Sequence, residues 1–300
     1  MQTAPPTPKG FRDILPAIAA KRRKTINTIV EILETHGFIP LETPTIEFAQ
    51  TLTGKYGEEE KLIYKFKDRG DRELALRYDL TVPLARFIAA NQNLLTPSFS
   101  RYQIGQVFRG ENPQHGRNRE FTQFDFDTVG SADLEEDAKV IVAAIKSTRA
   151  AGLEKAQMAV NDRNVFNNIH IDIVRAIDKL HKIGREELVK ELENKGFSQK
   201  DINILKDIDK TIMSPNQKQL FSILENQGLK ENADFFFDPT LARGLDYYTG
   251  MIFELKPDDN PASQSIGAGG RYDDLIGMFA GKQIPAVGFS FGIDRLVDLL

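Results

Sequence analysis

FRGENPQHGRNREFTQFDFD, residues 108–127, is the stretch that decides how this chain is read. Arg109, Arg117 and Arg119 crowd a loop between two strand-like stretches. Read with a period of two, Arg119, Phe121, Gln123, Asp125 and Asp127 share a face, and Phe124 and Phe126 point the other way. Alternation of that kind predicts a strand. A strand with one packed face and one face of arginine, aromatic and carboxylate groups is costly unless the polar groups meet a ligand. Arginines suit phosphate, Phe121 can stack on a base, and Gln123 with Asp127 can grip a small polar cation. Taken alone, the run also reads as a surface hairpin with solvated charges.

The remaining composition narrows the classes. The 300 residues can bury a large core and suggest roughly one to two domains. Hydrophobic content of 41% and charged content of 27% are ordinary for a soluble globular protein. A net charge of -4 excludes a general polyanion binder, so any nucleic-acid contact must come from a local basic patch. The lack of cysteine excludes disulfides, thiolate metal sites and a cysteine nucleophile, and fits a cytoplasmic protein. His36, His115, His170 and His181 have no close metal-ligand spacing, so no metal site is expected. No apolar run reaches membrane-span length, and MQTAPPTPKGFRD at the N-terminus has no apolar signal region.

Residues 1–16 read as an extended, proline-punctuated arm. Ile26, Ile29, Val30 and Leu33 form one helical stripe, which predicts a helix over 16–35 ended by Gly37. Residues 38–44 look extended, and their prolines suit an edge strand or a subunit contact. Residues 63–66 and 74–78 read as a hairpin, 79–90 as a helix with Pro83 in its first turn, and 133–149 as another helix. From 164 to 232 the pattern is helical, rich in Lys and Glu, with almost no strand signal. Strand-like segments return at 234–238, 247–255 and 263–266. The expected organisation is therefore an α+β body over 1–163 and 233–300, interrupted by a helical insertion at 164–232. The chain stops at Leu300 inside an apolar helix with no cap, and so reads as a fragment whose C-terminal part was removed.

Three further segments carry chemistry. LARGLDYYTG, residues 241–250, packs an arginine, an aspartate and two tyrosines between glycines, as a pocket wall would. IGAGGRYDD, residues 266–274, reads as a glycine-rich loop that lets a ligand approach backbone, and it is neither a Walker loop nor a dinucleotide fingerprint. PAVGFSFGIDRL, residues 285–296, reads as a strand entering a helix; Arg295 near the helix start can bind phosphate with exposed backbone N–H groups, and taken alone it reads rather as a salt-bridged surface arginine.

Residues 108–127 resemble motif 2 of class II aminoacyl-tRNA synthetases, GFSFGIDRL resembles their motif 3, and the passage ending at Pro44 resembles motif 1. LARGLDYYTG and GAGGRYDDL closely resemble the two signature segments of the histidyl-tRNA synthetase family. LRYDLTVPLAR, residues 76–86, resembles its histidine-pocket segment in the form typical of eukaryotic and archaeal members; many bacterial members have Pro-Glu in place of Tyr78-Asp79. The likeness runs from about Lys9 to Leu300.

That resemblance implies a class II synthetase catalytic fold, a six-stranded antiparallel sheet flanked by helices, in a homodimer. It implies activation of histidine by ATP, with Mg2+ on the leaving pyrophosphate, then transfer to tRNA(His). Arg109 would hold the α-phosphate, Phe121 would stack on adenine, Glu111 would contact its amino group, and Arg295 would bind the γ-phosphate. Arg117 and Arg119 would help with the outer phosphates. Asp79, Thr81, Gln123 and Asp127 would surround the histidine ammonium, and Tyr247 and Tyr248 would contact its side chain. Arg243 occupies the place of the catalytic arginine. The family normally continues into an anticodon-binding domain, which these 300 residues do not include. Its catalytically silent paralogue, the regulatory subunit of ATP phosphoribosyltransferase, is the rival reading; it should have degraded Arg109, Arg243, Arg295, Gln123 and the tyrosines, all intact here.

Overall fold

Pro16 opens the first helix, α1 (Pro16–Thr35), where its missing N–H costs nothing. Ile29 and Leu33 on its stripe are fully buried, and Gly37, at φ 80°, turns the chain out of it. The computed structural model describes residues 5–94, 98–113, 117–242, 247–258 and 263–300.

Among the described residues the strands are β1 (Ile39–Pro40), β2 (Ile46–Phe48), β3 (Lys65–Lys67), β4 (Glu73–Leu76), β5 (Phe99–Phe108), β6 (Glu120–Val129), β7 (Gln157–Asp162), β8 (Phe235–Phe237), β9 (Met251–Lys256), β10 (Gly267–Arg271) and β11 (Ala286–Gly292). The helices after α1 are α2 (Ala49–Leu52), α3 (Thr81–Ala90), α4 (Leu134–Ala151), α5 (Ile171–Asp178), α6 (Leu180–Ile183), α7 (Arg185–Asn194), α8 (Gln199–Asp207), α9 (Pro215–Asn226), α10 (Gly277–Ala280) and α11 (Ile293–Leu299).

The main sheet has the order β1-β5-β6-β11-β10-β9-β7-β8. Its six inner strands are antiparallel, as the resemblance implies, and β1 and β8 add a parallel strand at either edge. One expectation is corrected here. Gly267–Arg271, read as part of a loop, is an inner strand, paired to β9 on one side and β11 on the other, while 263–266 is not a strand. Its glycines carry the ladder because packing decides strand formation more than propensity does.

Phe124 and Phe126 face a core closed by α1, α4, α9 and α11. Phe126 meets Phe38 edge-on at 5.3 Å. Burying each such ring contributes about 1.5–3 kcal/mol. On the other face lies the small sheet β2-β4-β3 with α3, packed in a second cluster around Tyr56, Tyr78 and Tyr272. Apolar side chains from Phe166 to Ile208 form a cluster of their own, joined by Ala242. The last helix of the 164–232 segment does not join it: Leu220, Phe221 and Leu224 of α9 belong to the main core.

Candidate active site

The polar face of β6 is not a solvated surface. Gln123, Asp125 and Asp127 are 7%, 2% and 2% exposed. Arg101 on β5 is the cross-strand neighbour of Asp127, and its fully buried guanidinium pairs with Asp127 Oδ2 at 2.6 Å. The Tyr272 hydroxyl donates to Asp127 Oδ1. Gly288 lies opposite Asp127 on β11, and any Cβ there would collide with that carboxylate. The register puts Ala268 and Gly270 of β10 beside Ser290 and Gly288, so the floor next to β6 is lined with small residues. The glycine run thus makes room above a sheet rather than forming a loop.

Gln123 Nε2 donates to Ser290 Oγ at 2.7 Å and to Asp125 Oδ1 at 3.3 Å. Among the described residues Gln123 Oε1, Asp125 Oδ2, Asp127 Oδ2, and Arg101 Nε and Nη1 have no hydrogen-bond partner, although Asp127 Oδ2 is ion-paired with Arg101. Asp79 stands just before α3; its Oδ1 accepts from the Tyr56 hydroxyl and the Val82 N–H, both at 3.0 Å. Thr81 is hydrogen-bonded to Tyr247, whose ring meets Tyr248 edge-on at 5.0 Å and Tyr272 at 5.9 Å.

Burial sets the electrostatics. It pushes Asp125 up to about 7, with Arg101 opposing and the Asp127 and Asp79 charges reinforcing. Burial also raises Asp79 and Asp127, against the Val82 N–H in the first case and Arg101 in the second. Tyr247 and Tyr272 are held well above the ordinary phenol value by the same cause.

Arg109 lies at the end of β5 and β6. Its guanidinium is 4.4 Å from the Tyr78 ring centre and 5.2 Å from that of Phe121, and its Nε donates to the Tyr78 carbonyl at 3.2 Å. Two rings and a carbonyl hold one cation in place. Arg119 is engaged otherwise: its Nε donates to the Glu111 carbonyl at 2.9 Å, and its backbone N–H donates to the Gly10 carbonyl at 2.8 Å, tying down the N-terminal arm. Arg117 is largely exposed and pairs with the Glu111 carboxylate.

Arg295 donates to the Ser265 carbonyl at 2.6 Å and lines a cavity of about 490 Å³ with Arg12, Asn118 and Asp294. Asp294 accepts from the Thr122 N–H at 3.0 Å, so α11 is tied to β6 between Phe121 and Gln123. Arg243, expected as a catalytic residue, and His115 lie outside the described residues.

The description "Histidyl-tRNA synthetase" belongs to a family model that matches residues 10–227 and 203–296. The chain belongs to the histidyl-tRNA synthetase family. A histidine--tRNA ligase of Aeropyrum pernix is 42% identical over 98% of this chain and 74% of that protein. A crystal structure of histidyl-tRNA synthetase from Nostoc sp. PCC 7120 superposes with a TM-score of 0.86 at 30% identity, covering 99% of this chain and 75% of the other. A structure described as an ATP phosphoribosyltransferase regulatory subunit/histidyl-tRNA synthetase, from Bacillus halodurans, superposes at 0.83 with 24% identity over 100% of this chain and 84% of its own. That likeness is one of fold alone.

Within this family fold, Gln123 and Asp127 share the buried face of β6, Asp79 and the half-buried Thr81 and Tyr247 stand beside it with Tyr248, and Arg109 and Phe121 meet at the adjoining end of the hairpin. Sequence reasoning gave no role to Arg101, Tyr56, Tyr272 or Ser290. Their signal is cross-strand register, which a single sequence does not display. Asp127 is held in the pocket wall by the Arg101 ion pair at Oδ2 and the Tyr272 hydrogen bond at Oδ1, and Oδ2 has no hydrogen-bond partner among the described residues.

Proposed function

We propose that this chain activates histidine with ATP to histidyl-adenylate and pyrophosphate, then passes the histidyl group to tRNA(His). The observation that carries this reading is the pairing of a buried carboxylate face with the clamped cation Arg109 beside it. A histidine carboxylate must approach a triphosphate, and two anions in a dry pocket repel strongly unless cations screen them. Arg109 is oriented by Tyr78 and Phe121 to meet the α-phosphate and stabilise the charge that develops there. Arg243 takes the second catalytic cation role. Phe121 stacks on adenine and Glu111 receives its amino group; Arg295, with Arg117 and Arg119 further out, faces the remaining phosphates. Asp79, Thr81, Gln123 and Asp127 surround the ammonium, and Tyr247 and Tyr248 line the imidazole.

Mg2+ arrives with the phosphates in this reading. Mg2+ in a site of this kind takes most of its ligands from phosphate oxygens and water. Bound there, it supplies positive charge to the leaving pyrophosphate.

The homodimer belongs to the same proposal. Ile46, Phe48 and Phe66 lie on one face of the small sheet and are 45%, 50% and 40% exposed, with Ile39 on the edge of the main sheet at 53%. Apolar patches of that kind mark interaction surfaces, and light scattering should give twice the chain mass. The insertion is proposed to begin near 164; the packing of α9 favours an end before Pro215 over the expected 232. A cytoplasmic location also stays a proposal; among the described residues no helix is long and apolar enough to cross a membrane.

The decisive measurement is exchange of pyrophosphate into ATP. It should depend on histidine and on no other amino acid. Histidine binding with no exchange would leave the regulatory reading in its place.

A further inference from the structure

Asp125 shares the buried face with Gln123 and Asp127 but has no part in the assignments above. It is 2% exposed, and its Oδ2 has no hydrogen-bond partner among the described residues. The neighbouring acceptor Gln123 Oε1 is in the same condition. Two buried acceptors side by side call for a ligand that brings N–H donors. Asp127 Oδ2 also lacks a hydrogen bond, but it is held in an ion pair with Arg101, and its Oδ1 accepts from Tyr272.

The charges around Asp125 come from several elements. Arg101 reaches it from β5, Arg77 from the end of β4, Asp79 from before α3, and Asp127 from its own strand. Ser290 on β11 is its cross-strand neighbour, and the Tyr247 phenol lies within its field. Glu47 on β2, which also faces Arg77, is paired with Arg86. Arg109 stands at the phosphate end, over Tyr78 and Phe121. With all three aspartates ionised, Arg77 and Arg101 leave one negative charge that is offset from the phosphate end by Arg109, whose charge acts on Asp79. A proton on Asp125 relieves that charge at the inner end of the face, away from Arg109, and so does an ammonium ion.

Resting on the proposed histidine site, we propose that Asp125 is a further substrate-contacting residue: its carboxyl group gives its proton to solvent when the α-ammonium of histidine binds, and its Oδ2 then accepts from that ammonium. The ammonium is the fitting partner because it carries a full charge at neutral pH, whereas an imidazole is mostly neutral there. The raised affinity of Asp125 for a proton in the free protein, near neutrality, is the complement of this exchange.

The test is titration calorimetry of histidine into the full chain, in phosphate and in Tris, from pH 6 to 8. Wild type should release about half a proton per histidine near pH 7 beyond what the ligand's own imidazole contributes. Its affinity should rise as pH rises through that range, since a protonated Asp125 must first ionise. Asp125→Asn should lose the excess release and weaken histidine about 10- to 100-fold. Asp125→Glu should restore the release in part. Imidazolepropionate, which lacks the amine, should bind wild type and Asp125→Asn equally. Unchanged histidine affinity in Asp125→Asn, or an equal loss for imidazolepropionate, overturns the role of Asp125 while leaving the histidine site standing. Absence of excess proton release in wild type overturns it even if the variant fails to fold. No histidine binding by wild type at all would instead remove the proposed function.

Discussion

Phe126 and Asp127 are adjacent on β6 and are 0% and 2% exposed, yet they inhabit opposite kinds of interior. Phe126 packs among Phe38, Phe289 and Phe291, where burial is favourable with nothing further required. Asp127 is as deeply buried, but its charge must be met by Arg101 and Tyr272, and such a pair does little more than offset its own desolvation. Equal exposure therefore does not mean equal contribution. One face of the strand packs the core; the other holds paired and buried charges, and Gly288 leaves the space that the Asp127 carboxylate occupies.

Substitutions on the two faces should separate stability from chemistry. Phe126→Ala and Arg101→Ala should each destabilise by about 3–5 kcal/mol in denaturant titrations, the first through a cavity and the second through an uncompensated buried carboxylate. The comparison sharpens if Asp127→Asn recovers stability lost in Arg101→Ala while leaving Phe126→Ala unimproved. Recovery in both backgrounds would break it.

Arg109→Ala should lower adenylate formation in single-turnover experiments about 10²–10³-fold, with folding nearly unaffected. A comparable fall in the thermal midpoint would make Arg109 part of the structural interior instead.

The carboxylates also set a pH dependence with a definite sign. Folding raises Asp137 to about 6 and Asp125 to about 7, mainly through burial. Their contribution to stability is complete below about pH 3.9, the ordinary aspartate value, and is lost as pH rises through those two values. The thermal midpoint should therefore fall between pH 5 and 8, and Asp125→Asn should flatten the upper part of that fall. An unaltered slope in the variant would take Asp125 out of the account.

At the far end of the scale, Lys190 and Glu187 on α7 are 3.5 Å apart with both side chains more than half exposed. Lys190→Ala should change stability by less than about 0.5 kcal/mol. A larger loss would mean that the helical cluster around α7 leans on its surface charges rather than on Leu188 and Leu192, which are buried within it.

Much of this was legible without coordinates. The 3.6-residue stripe of α1, the period-two run of β6 and the helical character after residue 164 are local patterns, and local patterns survive reading one residue after another. The motifs in 76–86, 108–127, 241–250, 266–274 and 288–296 carried the family, because a site built from several segments leaves marks in each of them. What the chain order conceals is which strand lies beside which. Arg101 meets Asp127 only because β5 and β6 pair in one register, and Tyr272 reaches the same carboxylate from residues 145 positions away. Burial is equally hidden: the sequence determined that Gln123, Asp125 and Asp127 share a face, but only the tertiary structure decided that this face is closed from water. That closure, rather than the residue types, shifts their protonation, because a carboxylate's affinity for a proton depends on the solvent and charges around it.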